Sequence, residues 1–381
     1  MLPVSVMSRA KESLSRSTHN AVCKTIDMAA EMNAAVLYGK EDVRIERLPV
    51  PEAGPGEIVV RVAAALTCGT DLKVFRRGYH EKMLKPPAPF GHEMAGIVSQ
   101  VGEEVTKFRE GDRVVAVNSA PCGNCYFCQR QQENLCDDLV FNNGAYAEYF
   151  RIPARIVAKN TFLVPKSLLL EHAALTEPLA CVLYGMDETG AQAGDQMVVI
   201  GAGPIGLMFI HAAALSKIEV IAVVKHPEQV ELARSFGARH VVRTTTTDDV
   251  IAAVRALTPQ GRGADSVVEA VATPETWQWA VDMVRKGGVV NFFGGCAVGT
   301  QVTLDTNRLH YNDLTLRASF HHRPSVCRRA FDWIASGEFE SCKFLTGRAS
   351  LQELVPVFRR FLNRSNDIKI AIHPGEGLND G

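Results

Sequence analysis

The chain has 381 residues, with 41 lysines and arginines against 42 aspartates and glutamates, 46 % hydrophobic residues and 22 % charged ones. That length gives two or three domains and an ample core. A net charge of −1 gives no electrostatic footprint for nucleic acid or an anionic membrane, and no apolar run of 18 residues is available to span a bilayer.

The opening 32 residues are rich in serine and in isolated basic residues (Ser5, Ser8, Arg9, Lys11, Ser13). They read as an N-terminal extension without stable structure. A mitochondrial-type leader and a start at Met28 or Met32 are the alternatives, and Pro3 and Ser5 interrupt any secretory pattern. The folded pattern begins at Asn33. Ala34–Leu37, Val43–Arg47, Ile58–Ala65, Met94–Val101 and Arg113–Val117 are strand candidates separated by Gly- and Pro-rich turns, with Gly111-Asp112 as a hairpin turn. The first third is therefore mainly β and barrel-like.

After Pro178 the period changes. Strands at Met197–Ile200, Val220–Val224, Val241–Val242, Ser266–Ala270 and Val289–Phe293 alternate with helices at Ile205–Ser216, Pro227–Phe236, Val250–Leu257 and Pro274–Val284. This is the signature of βαβ units on a parallel sheet. Gly287-Gly288 reads as a tight turn into the last of these strands. Beyond His321 the alternation weakens to a helix at Ser325–Ser336, an apolar helix face from Leu351 to Leu362 with Pro356 near its start, and a closing strand at Lys369–Ile372.

Three groups of residues carry chemistry. Cys122-x2-Cys125-x2-Cys128-x7-Cys136 is too tight for a disulfide framework and suits a tetrahedral four-thiolate zinc shell. Ten cysteines in a chain of this length point to reduced thiols and a reducing compartment. The second group is Gly201-Ala202-Gly203-Pro204-Ile205-Gly206, between a strand and a helix. It fits the dinucleotide-binding turn: one glycine makes the turn, one admits a pyrophosphate, and one lets helix and strand approach. Where a ribose-binding carboxylate is expected, the chain has Val224-Lys225-His226, which shifts weight toward NADP while leaving NAD open. The third group is Cys68, Thr70 and Asp71 in Cys68-Gly69-Thr70-Asp71, His92 and Glu93 in Gly91-His92-Glu93, and Glu177 in Thr176-Glu177-Pro178. Each alone is ordinary core or a cap. Together they offer thiolate, imidazole and carboxylate to a working zinc. Phe75, Phe90 and Tyr146 are either cleft-lining residues or ordinary core.

In this order and spacing, these motifs resemble the zinc-dependent medium-chain dehydrogenases over roughly residues 33–375. The resemblance implies an α/β fold: a GroES-like β domain (33–177), a Rossmann doubly wound parallel-sheet domain (178–322) and a C-terminal segment (323–381) that completes the first domain. It implies two zinc ions per chain. A catalytic zinc would lie on Cys68 and His92 with Glu93 or Glu177, and a structural zinc on Cys122, Cys125, Cys128 and Cys136. It also implies NADP or NAD, proton transfer through Thr70, orientation of His92 by Asp71, a cytoplasmic homodimer or homotetramer, and a small-molecule alcohol or polyol as substrate. Glu177-Pro178-Leu179, where alcohol dehydrogenases of this family commonly place a second cysteine, is similar to the polyol branch with its sorbitol and threonine dehydrogenases. Lys73 stands where a histidine often ends the proton relay. A zinc-independent quinone or enoyl reductase of the same fold, or a nucleotide-binding protein without turnover, is the alternative.

Overall fold

The computed structural model describes residues 30–80, 83–363 and 365–375. Nearly all of the N-terminal extension lies outside them. Its last two residues do not behave as extension: Glu31 and Met32 open the first strand, Glu31–Gly39, and pair with Pro49 and Leu48 of Asp42–Pro49.

The β part is built around Ile58–Leu66, a run of β-branched and small residues buried on both faces. Its sheet runs Thr161–Leu163, Arg113–Ala116, Met94–Val101, Ile58–Leu66, Lys369–His373, Leu345–Ser350, with Tyr149–Ile152 also pairing with Ile58–Leu66. The chain's closing strand thus lies directly beside one of its first, through Ala371 opposite Leu66 and Ile372 opposite Ala65. Phe75, Phe90 and Tyr146 are fully buried beneath this sheet. They pack on Phe358 of helix Leu354–Leu362 at centroid distances of 5.5, 5.6 and 6.0 Å. They are core residues and do not line a cleft.

The α/β part is a six-stranded parallel sheet in the order His240–Arg243, Glu219–Val224, Gln196–Ile200, Ala264–Glu269, Val284–Phe292, Thr315–Ala318. The order reverses around Gln196–Ile200, which creates the crevice at the carboxyl ends of the strands where ligands bind in such sheets. Gly287-Gly288 does not form a turn ahead of the strand. The strand begins at Val284 and the glycines sit inside it, where the register with Ala264–Glu269 shifts. Gly287 takes φ 68°, and a Cβ on Gly288 would meet the Asp265 carbonyl at 2.8 Å. These are the needs of a bulge.

Helix Thr176–Thr189 joins the two parts, and the boundary expected after Glu177 falls inside it. It packs against helix Pro324–Ser336 and the sheet of the α/β part, and one continuous apolar cluster runs from Leu66 and Ala95 to Met197, Val199 and Phe331. The two parts therefore share a core, which fixes the crevice between them.

Candidate active site

Cys68 ends the extended run after Ile58–Leu66 and caps helix Gly69–Arg77, accepting from the Thr70 amide at 3.4 Å. A thiol in place of the usual Ser or Asp cap aims its sulfur at the amides of the first turn. Gly91, at φ 93°, lets His92 and Glu93 follow on; a Cβ there would strike the Tyr146 ring at 2.5 Å. Cys68, His92 and Glu93 present donor atoms that all lie within 4.8 Å of one another.

The histidine is fixed from behind. Its Nδ1 meets Asp71 Oδ1 at 2.9 Å, and the other Asp71 oxygen is 2.8 Å from the Tyr146 hydroxyl. That hydroxyl also lies 2.9 Å from the Leu66 carbonyl. All three side chains are buried. Burial opposes the imidazolium most strongly, but Asp71 and Cys68 together outweigh it and hold His92 well above its usual range. The Asp71 contact fixes the tautomer and leaves Nε2 toward the cleft, as in metal-ligating histidines.

Glu93 and Glu177 differ in their partners. Both Glu93 oxygens accept from Lys369 Nζ, at 2.8 and 2.5 Å, and Lys369 also donates to the Thr67 carbonyl. This is a fully buried, well-bonded ion pair. The Glu177 carboxylate has a single hydrogen-bond donor among the described residues, the Cys181 thiol at 3.7 Å. Burial pushes its carboxyl up to about 7, partly countered by His92. A buried carboxylate with so little pairing fits a cation beside it, so the donor set suits a zinc ion. Glu177 stands with Cys181 and His321 within 4.8 Å, and not in the mutual set of Cys68, His92 and Glu93.

The four-cysteine segment, 122–136, is compact and self-contained. Cys122 and Cys128 sulfurs are 3.9 Å apart and Cys125 and Cys136 sulfurs 3.8 Å. Four thiolates about 2.3 Å from one zinc stand about 3.8 Å apart, so the spacing fits the ion. The amides of Gly123, Cys125 and Cys122 itself point at the sulfurs of Cys128, Cys122 and Cys136. Such donors lower the Cys125 thiol to about 6, while burial raises Cys128 to about 12.

The glycine turn fits a dinucleotide. Gly201 takes φ 102°, a Cβ on Gly206 would lie 1.9 Å from the Gly201 carbonyl oxygen, and one on Gly203 would enter open space. Ala202, Pro204 and Ile205 complete the turn, and Pro204 opens helix Pro204–Leu215. Val224 is buried at the end of its strand, whereas Lys225 is exposed. Gln229, which sequence reasoning did not mark, receives the Lys225 and His226 amides on Oε1 at 3.2 and 3.1 Å, and its Nε2 reaches the Ala202 carbonyl. It ties the glycine turn to the basic strand end.

A cleft of about 600 Å³ joins these parts. Cys68, Thr70, Lys73, His92 and Glu177 line one side, Gly203–Gly206 and Phe293–Cys296 the other. Lys369, Cys181, His321 and Gln229 were not among the residues marked from sequence. The available signals were a lysine in an apolar closing strand, a Glu-x3-Cys pair on one helix face and a double histidine before a proline.

Comparisons with known proteins agree with this architecture. Residues 54–165 match the family described as alcohol dehydrogenase GroES-like domain, and residues 204–336 the family described as zinc-binding dehydrogenase. The chain is 29 % identical over 351 residues to a sorbitol dehydrogenase of Bacillus subtilis, covering 90 % of this chain and 97 % of that one. It is 34 % identical over 323 residues to an L-threonine 3-dehydrogenase of Bacillus licheniformis, covering 83 % and 91 %. Among solved structures, a protein of Sinorhizobium meliloti assigned as a zinc-binding dehydrogenase and bound to NADP superposes with a TM-score of 0.83 at 30 % identity, covering 91 % of this chain and all of that one. The 2R,3R-butanediol dehydrogenase of Bacillus subtilis superposes with a TM-score of 0.81 at 26 % identity, covering 90 % and 100 %.

Proposed function

This chain belongs to the zinc-dependent medium-chain dehydrogenases, in the polyol branch, and we propose that within that family it oxidises a vicinal diol or other polyol with NADP in the cleft that joins Cys68 and His92 to the glycine turn. It is a zinc-dependent oxidoreductase that transfers a hydride between a nicotinamide cofactor and an alcohol or ketone. The observation that carries the finer reading is the single cleft with metal-type donors on one wall and the glycine turn on the other.

When bound, zinc supplies a Lewis acid that lowers the pKa of the alcohol, and the nicotinamide supplies the hydride acceptor. Cys68 and His92 would hold the metal, with Glu177 as the carboxylate free to join them, since Lys369 occupies Glu93. Asp71 keeps His92 in the tautomer that offers Nε2. Thr70 lines the cleft beside Lys73, and its hydroxyl would take the substrate proton outward. Gly203 gives the pyrophosphate room, and Lys225 stands at the strand end where a 2′-phosphate would sit. An oxygen-rich donor set makes a harder metal site than a two-thiolate one and favours a chelating diol.

The protein would work in the cytoplasm, where the nine free cysteines among the described residues stay reduced. No helix among those residues is long and apolar enough to cross a membrane. It would form a homodimer or homotetramer; the edge strand Thr315–Ala318 leaves one side unpaired in the sheet order, and light scattering of the purified protein reads its mass. The reaction is tested by cofactor reduction over polyols, sugars and secondary alcohols with NADP and NAD in parallel. Turnover of vicinal diols with NADP is expected, and a clear preference for NAD or for monohydric alcohols refutes the corresponding half of the proposal.

A further inference from the structure

The cleft contains a second set of metal-type donors, of which the proposed reaction uses only Glu177. Glu177 and Cys181 stand four residues apart on helix Thr176–Thr189 and so share a face. His321 approaches them from the segment after Thr315–Ala318, and a carboxylate oxygen, a thiol sulfur and an imidazole nitrogen come within 4.8 Å of one another. His321 is held in place deliberately. Its backbone sits at φ 65°, which is costly for any residue but glycine and marks a position that the surroundings impose. Its Nε2 is 2.5 Å from the Ser119 hydroxyl, and its ring packs between Phe141 at 5.2 Å and His322 at 3.8 Å. His322 is held in turn by Asn118 and Cys327. An imidazole anchored through one nitrogen is the usual form of a metal ligand.

The second observation is Glu177 itself. It is 7 % exposed, its one hydrogen-bond donor among the described residues is a weak thiol, and the nearest imidazole nitrogen, His322 Nε2, stands 3.9 Å away and is already engaged with Asn118. A carboxylate, a thiol and an imidazole suit Zn²⁺ or Co²⁺ better than Mg²⁺ or Ca²⁺. Around tetrahedral zinc such donors stand about 3.3–3.8 Å apart, so side-chain rotations of about an ångström close the set.

We propose that Glu177, Cys181 and His321 form a second metal position in the cleft, which holds zinc in alternation with the Cys68–His92 position and shares Glu177 with it. The proposal rests on the reading of the cleft as a zinc site. A zinc ion displaced from Cys68 is then retained by the protein.

The test uses the full chain, with elemental analysis after dialysis and mass-spectrometric mapping of iodoacetamide alkylation, with Zn²⁺ present or removed by a chelator. Wild type is expected to hold two zinc ions. Cys68→Ser keeps close to two, and zinc slows Cys181 alkylation at least tenfold. Cys68→Ser/Cys181→Ser falls to one, and Cys68→Ser/His321→Ala does the same with an unchanged circular-dichroism spectrum. The proposal is overturned if Cys68→Ser drops to one zinc with Cys181 alkylated equally in both conditions, or if the double variants still hold two. Wild type holding one zinc with Cys68 unprotected overturns the cleft-zinc reading itself, a result distinct from either.

Discussion

The cysteine segment at 122–136 and the cleft are both thiolate sites, yet they are built in opposite ways. The first gathers its donors from fifteen consecutive residues and steers their sulfurs with its own backbone amides. The second draws donors from the cap of one helix, the loop after Gly91, the start of a second helix and the loop after Thr315–Ala318. A site made of one loop serves to hold that loop. A site made of distant elements has its geometry set by the fold, and it can leave a face open to substrate.

The contrast can be broken most forcefully at the cysteines. Cys122→Ser is expected to remove one zinc and lower the melting temperature by about 10 °C or more, since a structural zinc contributes folding energy directly. Cys68→Ser should cut kcat about 10³-fold with little change in melting temperature. Equal thermal losses in the two variants, read by calorimetry beside steady-state rates, would erase the distinction. Next in size is Lys369→Met, which leaves the buried Glu93 carboxylate without its cation. A loss of about 3–5 kcal/mol in denaturant titration is expected; a neutral result would show Glu93 to be free for metal.

Smaller effects sharpen the same comparison. The strands that carry Lys369 into the cleft are fastened by Glu171, whose carboxylate meets Arg348 at 2.8 and 2.5 Å and His373 at 3.5 Å. His373 and Arg348 hold its carboxyl down to about 2, against 4.5 ordinarily. A depressed carboxyl contributes stability that is present above the ordinary value and lost as pH falls toward 2. Glu171→Gln should therefore cost about 2 kcal/mol at pH 7, and the gap to wild type should close between about pH 4.5 and 2 in thermal melts. The smallest effect belongs to Lys225→Ala, expected to raise KM for NADP about tenfold, or ~1.4 kcal/mol, with KM for NAD unchanged.

What the sequence shows follows the same divide. The four cysteines and the glycine turn were legible because their chemistry depends on local spacing, and the strand–helix alternation after Pro178 because parallel βαβ units repeat a period. Met94–Val101 appears as read. The helix Gly69–Arg77 was not legible, since a cysteine cap gives no usual start signal. The partners of the cleft were hidden for a different reason. Lys369 looks like a surface charge until its strand is seen beside Ile58–Leu66, and Asp71 gains its Tyr146 contact across 75 positions. Long-range pairing of this kind leaves no periodic trace.

The ion pair between Glu93 and Lys369 spans 276 positions. During synthesis the cysteine segment emerges whole and early, and can capture its metal while most of the polypeptide is still unmade. The cleft's charges stay unbalanced until the final strand leaves the ribosome. Metal loading is thereby expected to run in order, the structural ion first and the working ion last, and a product cut short before Lys369 lacks the cation that balances Glu93.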